Sequence, residues 1–197
     1  MPTVQNCDDK LSGQFAKECG YKPKQGLQKK WYFNWSDVDR EATQSTNKGT
    51  KITQLVLKQG AVLYPADSAD KGLKAKHALS VMDFGNGYVH TDTLVVLYRG
   101  ESQSKSIQEL VDGGRIGSIV MVNDTGLNGE LTYRIFGFES GMKIIEDNYD
   151  SSANSGVTTI TVATEKGEEE STGGKLFLMT TGLAATTAWI NANTLVV

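Results

Sequence analysis

Histidine, cysteine and proline are scarce in this chain: two, two and three residues among 197. With only His77 and His90, an enzyme would have to work mainly through carboxylates and lysines. Cys7 and Cys19 are too few for a disulfide framework, and a zinc site would need two more ligands. They read as reduced thiols. No run of residues approaches the 18 or more apolar positions of a membrane span. The first fifteen residues lack the apolar core of a secretory signal, so the expected place of synthesis and residence is a cytoplasm. Basic excess is missing too. The formal net charge is -3, whereas a surface built to hold nucleic acid tightly is normally basic.

Motifs of catalysis are equally absent. Gly113, Gly114 and Gly117 do not have dinucleotide-binding spacing. Gly173-Gly174-Lys175 lacks the upstream glycine of a phosphate loop, and Leu176 stands where a hydroxyl residue would hold magnesium. There is no Gly-x-Ser-x-Gly and no His-Glu-x-x-His. Asp37 and Asp39 form a pair of carboxylates, but nothing nearby supplies a raised pKa. The expectation is a protein that is not an enzyme and that uses no cofactor and no metal.

What is present is strand-like. Glycine numbers 21 and hydrophobic residues make up 39%, a composition that with short apolar runs favours a β-rich domain. The aromatic cluster Trp31, Tyr32, Phe33 and Trp35 opens the first run. A strand is expected over 51–58, then a long loop over 59–76. Runs 77–84 and 88–99 flank Asn86-Gly87, a hairpin signal. If those two residues are the turn, His90 faces Asp83 and His77 faces Val96, so the histidines are not partners. With no nucleophile tied to it, the His90–Asp83 pair reads as a cross-strand pair rather than a catalytic fragment.

The stretch 104–138 has the clearest punctuation. Ser106 and Glu109 have capping-box spacing. Ile107, Leu110 and Val111 form one stripe of a short helix over 106–112, and Gly113-Gly114 stops it. Residues 116–122 and 131–138 flank Asn128-Gly129 as an apolar hairpin. Further strands are expected over 142–147, 157–164 and 175–180. The acidic run Glu168, Glu169 and Glu170 reads as a solvated turn. A short helix with Trp189 and Ile190 inward comes near the end, followed by the apolar residues Leu195, Val196 and Val197, which need a core or a neighbour to cover them.

These readings combine into a mainly β protein. The expected fold is a β-sandwich or small barrel with one flanking short α-helix, an extended N-terminal arm and a long inter-strand loop. The arm is 1–30 and the assembly domain 31–197. The arm either gains order by lying on a partner or is a plain tail. Residues expected at an interface are Trp31, Trp35, Tyr64, Ile119, Met121, Leu195 and Val196. Trp31, Tyr32 and Trp35 also fit a sugar-binding platform, which would make the chain a carbohydrate- or surface-binding module.

The order of elements, with residues 49–58, 106–122, 131–144 and 173–190, resembles the tail tube proteins of tailed bacteriophages. More loosely it resembles related β-sandwich building blocks of phage heads and necks, and the style is similar to virion proteins of phages of Bacteroidetes. The likeness spans roughly residues 31–190 in pattern, without signature residues. It implies a virion subunit made in the host bacterial cytoplasm. Copies would close into rings, usually of six, and stack through a long loop and terminal arms. Other virion proteins would be neighbours, and double-stranded DNA would pass an acidic or neutral lumen without specific binding. A capsid decoration or head–tail connector protein is the alternative.

Overall fold

The computed structural model describes residues 22–68, 72–82, 85–152 and 157–196. In chain order the elements are β1 (Leu27–Asn34), a 3-10 turn at Trp35–Asp37, β2 (Gln44–Thr46), β3 (Lys51–Gln54), β4 (Tyr64–Ala66), β5 (Leu73–Met82) and β6 (Gly85–Val96). Helix α1 (Glu101–Val111) follows, then β7 (Ile116–Val122), β8 (Tyr133–Phe136), β9 (Lys143–Tyr149), β10 (Thr158–Ala163), β11 (Lys175–Phe177) and helix α2 (Leu183–Asn193). Two sheets form. One has seven strands in the order β2-β3-β11-β8-β7-β1-β4, and the other has four, β5-β6-β10-β9. Among the described strands only the β3–β11 pair is parallel, and an isolated bridge, Leu63 with Thr194, is parallel too. The mainly β, sandwich-like expectation therefore holds.

The central strands explain the layering. In β7 alternate side chains point to opposite faces. Ile119 joins Trp31, Phe33, Ile135, Phe177 and Ile190 of α2 in one buried cluster. Ile116 and Val120 join Phe136, Ile160, Val162 and Ile107 of α1 in the other. A strand apolar on both faces needs a cover on both. Here the four-stranded sheet covers one face and α2 the other, so the cover comes from within the chain. The edge of Trp189 against Phe177, with centroids 5.6 Å apart, and the Tyr133–Thr187 hydroxyl pair at 3.0 Å tie α2 to the sheet. Trp189 is half-buried and Ile190 fully buried, as expected. Helix α1 closes one end of the gap between the sheets through Ile107.

Several local expectations change. Helix α1 starts at Glu101 behind Gly100, with no side-chain cap. Ser106 and Glu109 thus lie inside it, where Glu109 instead meets Lys105 one turn away at 3.8 Å. Gly113 does end the helix, with φ +109°. The turn expected at Asn86-Gly87 is inside β6: Met82 pairs with Gly85 and His77 with His90. The histidines are therefore register partners, and Asp83 lies outside the described residues. The shift is an even one, with the partner of His77 moving from Val96 to His90, so each side chain keeps its face and Ala75 packs on the core. Asn128-Gly129 sits in a longer connection between β7 and β8, held by the Glu130 carboxylate on the N–H groups of Leu127 and Asn128. The strand expected over 51–58 ends at Gln54, and the loop 59–76 contains β4 and the start of β5. Finally, β1 begins at Leu27, so the arm boundary at 30 cuts a strand. The rest of the arm up to residue 21, with both cysteines, lies outside the described residues.

Candidate interaction surface

Three of the residues expected at an interface come together. Tyr64 lies on β4, one of the two outer strands of the seven-stranded sheet, and is 41% exposed. Leu195 runs beside it, its N–H donating to Leu63 O at 2.8 Å, and is 40% exposed. Val196 is 92% exposed. Next to this strip a cleft of about 670 Å³ opens between the sheets under α1, lined by Leu94, Val96, Ile107, Leu110 and Leu195 among others. That size is in the ordinary range of binding clefts, roughly 300–1,000 Å³.

The other four do not join that strip. Trp31 and Ile119 are register partners on the α2 side, both buried, and Met121 packs against the same cluster. Their apolar surface is spent inside the chain. Trp35 is half-buried. Its indole N–H donates to Glu139 O at 2.9 Å, and the Arg40 guanidinium lies 4.1 Å above the ring centre. Tyr32 turns inward to Asp92. A free aromatic platform for a sugar is thus not formed by Trp31, Tyr32 and Trp35.

Two polar seams inside the domain were not read from the sequence. The first joins the sheets. Lys30 of β1 and Asp92 of β6 form an ion pair with both side chains at zero exposure. Lys30 also donates to Lys74 O and Thr93 O, at 3.0 and 3.1 Å. Tyr32 and Ser118 donate to the Asp92 carboxylate at 2.8 and 2.7 Å. Burial pulls the Lys30 ammonium below its usual range, and Asp92 opposes that. Burial and Asp92 together push the Tyr32 phenol up. Lys30 is the last residue of the expected arm. The only sequence signal was its alternation with Trp31: Lys30 and Tyr32 share one face, Trp31 and Phe33 the other.

The second seam gathers the loops at 137–140 and 165–175. His90 is fully buried. Its Nδ1 accepts from Gly137 N–H at 3.0 Å, and Nε2 lies 2.9 Å from Thr172 O. Gly174 N also lies 3.1 Å from Nε2; because Nδ1 faces an N–H donor, the one proton of a neutral ring goes to Nε2, toward Thr172 O. Burial lowers its pKa to about 4, against the raising effect of the Thr172 carbonyl. Glu170, also fully buried, accepts N–H groups of Glu139 and Ser140 at 2.9–3.0 Å. Burial nevertheless raises its pKa. Lys175 reaches Glu139 at 2.7 Å and Gly49 O at 2.8 Å. Arg115 holds Glu165 and Glu168, and Lys143 shares Glu165. The acidic run is therefore not a freely solvated turn: Glu170 anchors a loop and Glu168 is paired. His90 and Glu170 have no exposed surface, and their partners are the loops at 137–140 and 165–175, which this seam fastens together. Among the described residues, no cluster of three His, Cys, Asp or Glu side chains could hold a metal ion.

Large apolar side chains also stand out on the four-stranded sheet: Leu79 (58% exposed) and Val81 on β5, Ile145 (64%) and Tyr149 on β9. Both strands are outer strands. No helix among the described residues is long and apolar enough to cross a membrane. Comparisons with protein-family models, curated proteins and solved structures find no match.

Proposed function

We propose that this chain is a structural virion subunit, a tail tube protein that self-assembles into stacked rings around a DNA-conducting channel. The observation that carries the reading is the surface of unfinished edges. Strands β5 and β9 end the four-stranded sheet, and exposed apolar side chains stand on each: Leu79 and Val81, Ile145 and Tyr149. Tyr64, Leu195 and Val196 add an exposed apolar strip where residues 193–195 run along the start of β4. Open edges with apolar flanks are a hazard in a lone domain and a joint in an assembly. Closed symmetry removes them. The run Glu168–Glu170 lends no support to an acidic lumen, because Glu168 and Glu170 are bound within the chain. The net charge of -3 remains compatible with a wall that DNA slides past.

Negative-stain microscopy with sedimentation velocity tests this. Rings or hollow tubes are expected from purified protein. Rings that never stack would favour a connector role, and a sharp monomer at high concentration would sink the proposal. Removal of residues 1–21 should leave a folded domain, since β1 and its buried Lys30 stay intact.

A further inference from the structure

We infer that neighbouring copies join through the four-stranded sheet, β5 of one copy against β9 of the next, with Lys74 facing Glu146 across the joint. This rests on the self-assembly reading and names its surface. The four strands are antiparallel at each step, β5 to β6, β6 to β10 and β10 to β9. After three reversals β9 runs opposite to β5. A second copy rotated about an axis parallel to the strands therefore meets the first in antiparallel pairing, the arrangement that gives direct cross-strand pairs.

The register carries the argument further. Lys74 pairs with Thr93, Thr93 with Thr161, and Thr161 with Glu146. One row across the sheet thus begins in a lysine and ends in a glutamate. Both end residues are exposed, and among the described residues neither is held in an ion pair. Glu146 only accepts from Thr161 Oγ1 at 3.0 Å. Continuing the row from copy to copy sets opposite charges side by side, with no slip of register. Such direct cross-strand pairs stabilise sheets, and like charges there destabilise them. The neighbouring row runs from Lys76 through Thr91 and Ala163 to Lys143. Lys143 is already bound by Glu165 at 2.8 Å, and Lys76 falls diagonal to Glu146, within reach of a long side chain. A register shift of β9 at Ile145 adds local twist, the kind of bend by which sheets curve toward closure. Because the two edges differ, the contact is head-to-tail, and it yields a ring if the rotation closes.

The test is a charge swap read by sedimentation and microscopy of the full chain. Lys74→Glu gives copies with two acidic edges, and Glu146→Lys gives copies with two basic ones. Each alone should raise the concentration of half-assembly by about tenfold or more, as like charges juxtapose, with an unchanged melting temperature. Mixing the two variants should restore assembly, because each acidic edge then meets a basic edge of the other variant. The double variant should also assemble. If the single variants assemble like wild type, or if neither mixture nor double variant recovers, this joint is wrong while self-assembly by other edges stands. A wild-type chain that stays monomeric overturns both.

Discussion

Replacing Lys30 by Met should cost this domain about 3–5 kcal/mol, the usual penalty for leaving one member of a buried ion pair behind. The structure says why the penalty is high. Lys30 and Asp92 have no exposed side-chain surface, so no water can take over. Without Lys30 the Asp92 carboxylate keeps only the hydroxyls of Tyr32 and Ser118. Without Asp92, as in Asp92→Leu, the Lys30 ammonium keeps only two backbone carbonyls. If the costs added, the double variant would lose about 6–10 kcal/mol, a large part of the 5–15 kcal/mol that holds a domain together. The pair should not add. Removing both charges leaves two hydroxyls short of an acceptor, roughly 1–3 kcal/mol each at worst, and gains apolar contact. Lys30→Met/Asp92→Leu should therefore be more stable than either single variant. Urea titration followed by tryptophan fluorescence measures this, since Trp31 is in the core and Trp35 and Trp189 lie half-buried. Single variants costing under about 1 kcal/mol, or a strictly additive double variant, would refute the reasoning.

Other outcomes follow from the second seam and the tightest packing. Wild-type stability should fall by about 3 kcal/mol as pH drops from ~6.5 to about 4, because the folded His90 pKa is near 4 and a free imidazole titrates near 6.5, at ~1.4 kcal/mol per unit. The sign is fixed by the unfolded chain binding the proton first. Glu170, raised by burial, works the opposite way near the carboxylate range, so the readout is the difference between wild type and His90→Gln, whose curve should be flatter by the His90 share. Equal slopes in both proteins would contradict a buried neutral ring. Gly117→Ala should cost about 1–3 kcal/mol, because its Cβ would sit 2.2 Å from the Phe33 ring, which is fully buried; an unchanged midpoint in urea would show that the ring has room to move.

How legible was this in the sequence? The strand content came from alternation and β-branched runs, signals that are local. Strand β7, the stop at Gly113 and the inward face of α2 were all visible for that reason. Registers and polar seams were not. The β5–β6 slip keeps every side chain on its expected face, so alternation alone could not distinguish the two registers, and the Asn86-Gly87 turn signal pointed to the other one. Lys30, His90 and Glu170 look like surface residues in sequence, since burial of a charged or polar group requires partners that come from 62, 47 and 31 positions away. Trp31 and Ile119 are expected at an interface because Trp31 stands in a dense aromatic run and residues 116–122 are apolar on both faces. The missing piece was that α2, from the far end of the chain, would cover them.

The two kinds of surface belong to one problem. A buried pair such as Lys30–Asp92 adds little net stability over a packed apolar pair. What it does supply is a fixed position of one sheet on the other, since Lys30 ties β1 to β6 and to the carbonyl of Lys74 on β5. Strand β5 is the edge that carries the lysine of the proposed joint. An edge that must meet its neighbour in one register needs a sheet that cannot slide, and apolar packing alone tolerates sliding better than a hydrogen-bonded charge does. The double variant separates these roles. If the seam serves position rather than stability, Lys30→Met/Asp92→Leu should recover most of its unfolding free energy and still assemble poorly. If it assembles as well as wild type, the seam is a local solution to packing two sheets and has no bearing on the edge.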